Sequence, residues 1–350
     1  GILRNSFNPI LLRHRRSTSK VMTSSEDTVR IGYVPEHYLT PLHLALKSAI
    51  ASLPFKVTIK PFPSGTGHMI TSLRENEIDI GIGLTEGWVA GLVGKTQLEK
   101  GDVDGGYKMV GQWVETPLRW AIVTGRNRNE INGVNDLKGG RVGVSRLGSG
   151  SHIMSFVLAQ QQNWSSTSSP LIPVILGPFP SLQDGVTGCN PAAPDAPPAP
   201  SADFFMWEQF TTKPSFHPSE STPNPPLKKI GEIFTPWPSW HIAASTSTFP
   251  SLAQDARLSQ LFEALDNGIA AFEADKEHVV KLLGTGELGC TYNEADAREW
   301  LKDVQFVKGG TRGVDKSTVD GVIDILKVAD VVPKDIGNND AIEKVVGIFK

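Results

Sequence analysis

The sequence predicts an α/β protein made of two units in which strand and helix alternate. Three observations carry that prediction. Strand-like and helix-like hydrophobic periods alternate from Thr28, the alternation restarts near Arg119, and a glycine-serine turn stands at a matching place in each unit. Size agrees, because 350 residues exceed one small domain and suit two of ordinary dimensions. With 39% hydrophobic and 20% charged residues, the chain can bury a sizeable core.

The first stretch stands apart. Through Thr23 it holds Arg4, Arg13, Arg15, Arg16 and Lys20, several serines and no carboxylate before Glu26. Ile2, Leu3, Phe7, Ile10, Leu11 and Leu12 partly line one helical face. Residues 1–27 therefore read as a mitochondrial transit segment, with a disordered tail in a cytoplasmic protein as the alternative. No apolar core suits a secretory signal.

In the first unit, Val29 to Val34 reads as a strand. Leu42, Leu46, Ala49, Ile50 and Leu53 recur at helical spacing, Phe55 to Phe62 is strand-like, Met69 to Glu75 helical, and Ile78 to Leu84 a buried strand. This β-α-β-α-β order implies parallel strands joined by right-handed crossovers. In the second, Trp120 to Val123 is a strand, Asn135-Asp136-Leu137 a capped turn, and Arg141 to Ser145 a strand. A helix follows from Ser151 to Gln162, then strands at Ile172–Leu176, Asp203–Met206 and Lys229–Phe234. Gly188 to Ser201 and Pro218 to Pro226 are rich in Pro, Ala, Asn and Ser, and read as surface loops. After Ser245 the pattern is mostly helical, with a stripe at Leu258, Leu261, Phe262, Leu265, Ile269 and Phe272.

Charge and cysteine narrow the function classes. The net charge of −3 gives no electrostatic case for nucleic acid. No run approaches the ~18 apolar residues of a membrane-spanning helix. Cys189 and Cys290, the two cysteines, lie far apart without Cys or His at ligand spacing, which excludes a disulfide scaffold and a zinc ribbon. No metal and no cofactor is predicted, and the oligomeric state is left open.

Candidate binding residues gather at strand ends. Ser64-Gly65-Thr66-Gly67 and Ser149-Gly150-Ser151-His152 each join a strand to a helix, whose unpaired N–H groups suit an anion or a polarised oxygen. Open parallel sheets bind ligands at the carboxyl ends of their strands. Neither turn completes a dinucleotide fingerprint or a Walker loop. Thr85-Glu86-Gly87-Trp88 and Glu36-His37 would lie along the same edge. His68 and His241, with His37 and His152, adjoin these segments as hydrogen-bonding groups. Met206, Trp207, Glu208 and Trp237 add an aromatic wall and a carboxylate. A glycosidase pair of Glu86 and Glu208 has no spacing to support it, and neither a nucleophile elbow nor a Cys-His pair is recognisable.

The runs Gly32-Tyr33-Val34-Pro35-Glu36-His37, Ser64 to Gly67 and Ile78 to Gly87 resemble the type II periplasmic-binding-protein superfamily. Within it the chain is similar to nitrate, sulfonate and taurine solute-binding proteins and to the pyrimidine-precursor synthases of thiamin biosynthesis. Ser145 to His152, Phe205 to Pro214 and Thr235 to His241 resemble most a eukaryotic, largely fungal branch. The resemblance covers roughly Thr28 to Ala329. It implies two α/β lobes, joined by crossings near Pro117-Leu118-Arg119 and Trp237 to Trp240, with the ligand cleft between them. Lobe 1 would combine residues 28–118 and 241–350. Lobe 2 would be 119–240, with a Pro-rich insertion at 188–201.

The expected function is binding of a small polar, anionic molecule by closure of the lobes, without catalysis. The implied ligand residues are Glu36, His37, Gly65, Thr66, Gly67, Thr85, Glu86, Ser149, Gly150, Ser151, His152, Trp207, Glu208 and Trp237. The alternative is an enzyme of thiamin-pyrimidine precursor metabolism on the same fold. The cysteine-rich motif of those synthases has no counterpart here. The basic start predicts a mature chain that begins between Lys20 and Thr28 inside an organelle. N-terminal sequencing of native protein checks it, and an intact start in a cytosolic fraction would refute it.

Overall fold

The computed structural model describes residues 27–164 and 169–350, so the basic segment read as a targeting sequence lies outside the described residues. The strands are β1 (Thr28–Tyr33), β2 (Lys56–Pro61), β3 (Ile80–Leu84), β4 (Tyr107–Val114) and β5 (Arg119–Gly125), then β6 (Arg141–Val144), β7 (Ile172–Ile175), β8 (Phe204–Glu208), β9 (Leu227–Phe234) and β10 (Trp240–Ser245). They form two five-stranded sheets, ordered β2-β1-β3-β10-β4 and β7-β6-β8-β5-β9. The mixed α/β, two-lobed architecture is the one the alternating pattern predicts.

Parallel pairing links β1 to β2 and β3, and β6 to β7 and β8. Two features escape the local pattern. Tyr107–Val114 and Trp240–Ser245 are strands, and β10 runs antiparallel between β3 and β4. Trp240, expected in a crossing, thus belongs to the sheet, and His241 follows it there. Residues 115–118 carry the chain from the first sheet to the second, and 235–239 carry it back. These crossings run side by side: Thr235 N–H donates to Leu118 O at 3.1 Å and Ser239 Oγ to Thr116 O at 2.7 Å.

The helix expected over Leu42–Leu53 ends early, as an α-helix at Thr40–Leu46 and a 3-10 turn at Ile50–Ser52. Ser48 Oγ bonds back to Leu44 O at 3.1 Å, an alternative to the helical ladder. Pro54 then holds Leu53 extended, at φ −69° and ψ 148°. The helices at Thr66–Arg74 and Gly150–Gln161 open at the two glycine-serine turns. The predicted C-terminal helices are present at Ala256–Ala274, Lys276–Thr285, Glu294–Asp303, Lys316–Val328 and Asn338–Val345. Asp255, Asp275 and Asn293 cap the first three through their side chains.

These helices complete the body around the first sheet. Helix 256–274 lies on helix 40–46, and helices 316–328 and 338–345 lie on Thr85–Val93. Helix 316–328 also meets helix 150–161 of the second lobe. Beside the crossings, Lys213 Nζ reaches Asp296 Oδ1 at 2.6 Å and Glu299 Oε2 at 3.3 Å, while Arg119 Nη1 meets Glu299 Oε1 at 3.0 Å. The main core runs through both lobes, from Ile31 and Ile82 to Trp120, Met206 and Ile153. A smaller one, with Ala121, Val123, Leu182 and Phe205, covers the outer face of the second sheet.

The Pro-rich stretch is an exposed excursion from helix Phe179–Thr187, closed at its base by Ala199 N–H to Gly188 O at 3.1 Å and Ser201 N–H to Gly185 O at 2.9 Å. It buries almost no apolar surface, and loop-closure entropy changes slowly with length. Replacing residues 190–198 with a short Gly-Ser link should leave the melting temperature within a few degrees, as read by circular dichroism. A collapse in stability would show that the excursion packs on the body.

Candidate functional site

The site lies where the lobes meet, and its first component comes from the end of β1. There Glu36 N–H bonds to Val34 O at 2.8 Å, and the tight turn drives His37 inward. The His37 ring is buried among Tyr38, Tyr292 and Trp300, with ring centroids 4.3, 4.4 and 4.7 Å away. Its Nε2 stands 3.5 Å from Glu208 Oε2 of the second lobe. Glu208 ends β8 and caps the turn that follows. Its Oε1 accepts from Thr211 N–H at 2.8 Å and Thr211 Oγ1 at 3.1 Å. Antiparallel register places Trp120, near the start of β5, opposite Glu208.

The second component is Glu86, in the first turn of helix Thr85–Val93. Glu86 Oε2 accepts from the Trp237 indole N–H at 3.0 Å, which ties the first lobe to a crossing. The other oxygen lies against the start of helix 150–161. A Cβ at Gly150 would stand 3.1 Å from Trp120 Cη2 and 3.4 Å from Glu86 Oε1. A side chain there would crowd Trp120 of its own lobe and touch Glu86 of the other. Nearer the surface, the exposed Arg146 guanidinium reaches Gly67 of the first lobe.

Several polar atoms at this junction have no hydrogen-bond partner among the described residues: Glu86 Oε1, Glu208 Oε2, both His37 nitrogens and Trp120 Nε1. Their residues are deeply buried, with exposures of 2% for Glu86, 6% for Glu208, 1% for His37 and 5% for Trp120. Nor does a lysine or arginine among those residues pair with Glu36, Glu86 or Glu208. Burial pushes the Glu86 carboxyl up to about 7 against the Trp237 hydrogen bond. Burial and the Glu208 charge push Glu36 up to about 8. Burial, with Glu36 nearby, raises the Cys290 thiol to about 12, so it is no nucleophile near neutral pH.

Not every residue expected here joins the group. Trp207 does not: side chains alternate along β8, so Phe204, Met206 and Glu208 face one way while Phe205 and Trp207 face the other, where Trp207 packs 5.8 Å from Phe179. Thr85 is buried behind the site, donating to Pro238 O at 2.5 Å and meeting His241 Nδ1 at 2.7 Å. His241 is buried in β10, and desolvation lowers it to about 3. Thr66 Oγ1 accepts from Leu84 N–H at 2.9 Å and braces its own lobe. Gly65 caps helix 66–74 with φ +86°, and His68 lies exposed beside Phe62.

In the second turn, Ser149 Oγ and Ser151 Oγ are 3.0 Å apart. Ser145 N–H donates to Ser151 Oγ at 3.2 Å, and Gly148 N–H donates to His152 Nδ1 at 2.9 Å. Those side chains stabilise the turn, and Gly150 is the member that meets the other lobe. The structure thus brings together Glu36, His37, Glu86, Gly150, Glu208 and Trp237. Sequence reasoning missed Trp120, Tyr38, Tyr292 and Trp300. Trp120 had a signal, since it begins a strand directly after a crossing. Tyr292 and Trp300 had none, because they arrive from helices far along the chain.

With this geometry in view, residues 120–233 match the Ca3427-like PBP family. The structure of the Candida albicans CA3427 gene product, described as defining a new family with the generic periplasmic binding protein fold, is 31% identical over 92% of this chain and 97% of that one, with a TM-score of 0.73. The chain belongs to the Ca3427-like periplasmic-binding-protein family. The fungal branch and the type II fold expected from the motifs agree with that membership. The alkanesulfonate-binding protein SsuA of Xanthomonas axonopodis pv. citri, bound to MOPS, shares the fold at 16% identity and a TM-score of 0.62, over 90% of this chain and 97% of its own. The aliphatic sulphonate binding protein SsuA of Escherichia coli does so at 16% and 0.60, over the same shares. Comparison with curated proteins finds no match.

The raised carboxyls set a pH dependence. A carboxyl held up in the fold binds its proton more tightly folded than unfolded. Its stability contribution is complete below the ordinary value of 4.5 and is lost as pH rises through about 7 for Glu86. Glu86→Gln keeps an acceptor for Trp237 and removes this titration. The variant should match the wild type near pH 4 and gain on it toward pH 8, by on the order of 3 kcal/mol at most. Denaturant melts across that range measure the difference, and a gap independent of pH would contradict the assignment.

Proposed function

We propose that this chain is a receptor that closes its two lobes on a small polar solute. The observation that carries the reading is the set of buried polar atoms left without a hydrogen bond where the lobes meet: Glu86 Oε1, the Trp120 indole N–H, and Glu208 Oε2, which has only His37 Nε2 at 3.5 Å. Each such group costs about 1–3 kcal/mol in a folded protein. Three of them from two lobes at one junction have a common explanation, a bound molecule that supplies the missing partners. Family membership supports it, as does the fold shared with proteins whose names state alkanesulfonate and aliphatic sulphonate binding.

An acidic end of the solute suits the starts of helices 66–74 and 150–161, where backbone N–H groups and Arg146 favour negative charge. A flat or aliphatic body suits the Trp120 and Trp237 rings.

Native protein purified without ligand should release a small molecule on denaturation, and that molecule should rebind the stripped protein in calorimetry. Gly150→Leu places a side chain between Trp120 and Glu86 and should weaken rebinding by about tenfold or more, with the circular dichroism spectrum unchanged. Absence of any released solute that rebinds would refute the receptor reading, and so would a Gly150→Leu protein that binds as tightly as the wild type.

A further inference from the structure

Glu86 and Glu208 reach the junction from opposite lobes, one from the first turn of a helix and one from a strand end. Each commits one oxygen to a fixed donor: Glu86 Oε2 to the Trp237 indole, Glu208 Oε1 to the Thr211 amide and hydroxyl. Each leaves its second oxygen buried without a hydrogen bond among the described residues; Glu208 Oε2 has only the His37 ring nitrogen, 3.5 Å away. One anchored oxygen orients the carboxylate and leaves the other for a third party. An ionised carboxylate oxygen only accepts, so in that state the third party must bring an N–H or O–H donor. A purely anionic solute would face both carboxylates with repulsion and no hydrogen bond.

Trp120 sharpens the reading. Its ring and Glu86 Oε1 flank the same glycine, yet the indole N–H and that oxygen make no bond to each other, and both lack partners. Two buried groups of opposite hydrogen-bonding character, from the two lobes, are thus left for an outside partner. The junction therefore offers two acceptors and one donor, walled by aromatic rings.

We propose that Glu86 and Glu208 hold N–H donors of the bound solute, which makes that solute a small amine or amino-substituted heterocycle bearing an acceptor group, rather than a simple anion. The proposal rests on the receptor reading and names the class of molecule received. Charge-assisted N–H···O bonds to both carboxylates would supply the tightest contacts in the site. Because burial holds the Glu86 carboxyl near about 7, a cationic amine that binds at neutral pH displaces to solvent the proton carried by the protonated fraction of that group.

Matched probes test it: β-alanine against propionate, 4-aminobenzoate against benzoate, and 4-(aminomethyl)benzoate against 4-methylbenzoate. Titration calorimetry is run on wild type, Glu86→Gln and Glu208→Gln. In at least one pair the aminated member should bind the wild type about tenfold tighter than its partner, and either substitution should cut that preference to about threefold or less. The unliganded variants should melt no lower than the wild type, since glutamine keeps the anchored acceptor. The proposal falls if no aminated member is preferred, or if the preference survives both substitutions. It falls equally if both unliganded variants melt markedly lower, which would assign the carboxylates to the fold. If the anions alone bind, and lose binding in Gly150→Leu, the receptor reading stands and only the amine assignment fails.

Discussion

Everything at the junction depends on where β10 is inserted. By running antiparallel between β3 and β4, it returns the chain to the first sheet after the second lobe is complete. That pairing sets Trp240 opposite Leu84 and His241 opposite Gly83, immediately before the helix that carries Glu86. The segment entering β10 is thereby laid against the start of that helix, where Pro238 O receives the Thr85 hydroxyl and the Trp237 indole meets Glu86. Without β10 the strand β4 would be detached from the first sheet, and the crossing would have no fixed position over the site.

That frame supports a site that is poor in internal partners. Elsewhere, buried charge is well matched: Asp79 takes Arg30, the Thr248 hydroxyl and a backbone amide, and Asp203 takes Arg128 and Arg141. Those contacts hold both aspartates below the ordinary carboxylate range against desolvation. At the junction the balance is reversed, with burial uncompensated and carboxyls raised. The contrast separates aspartates whose charge is matched inside the fold from junction glutamates whose charge is not.

The strands of both units were legible because each is a short apolar run bounded by turn residues, as in Ile78 to Leu84 and Arg141 to Ser145. The paired helix starts were legible from Gly65 and Gly150. β4 was not, because Lys108, Gly111 and Gln112 interrupt its apolar run. β10 was masked by the Trp-Pro-Ser-Trp stretch, which reads as a stiff loop until its pairing with β3 is known. Glu36, His37, Glu86, Glu208 and Trp237 could be nominated from strand ends and crossings. Their convergence could not, since it rests on contacts such as His37 with Trp300 that join distant parts of the chain. Trp207 was a parity error that strict alternation along Phe204 to Glu208 would have caught.

The ion pairs of Lys213 and Arg119 with Asp296 and Glu299 have a mechanical consequence. They clasp the second lobe to helix 294–303 beside the paired crossings, and Asp296 is itself buried. Two covalent straps and this clasp lie along one edge, so the lobes would open, if they do, as a door hung there. Displacement in such a swing grows with distance from the axis. Glu208 and His37, near the clasp, would then travel little and remain a formed floor. Arg146 and Gly67, at the exposed side, would travel farthest, which would make them the threshold of the cleft, with a positive charge on it.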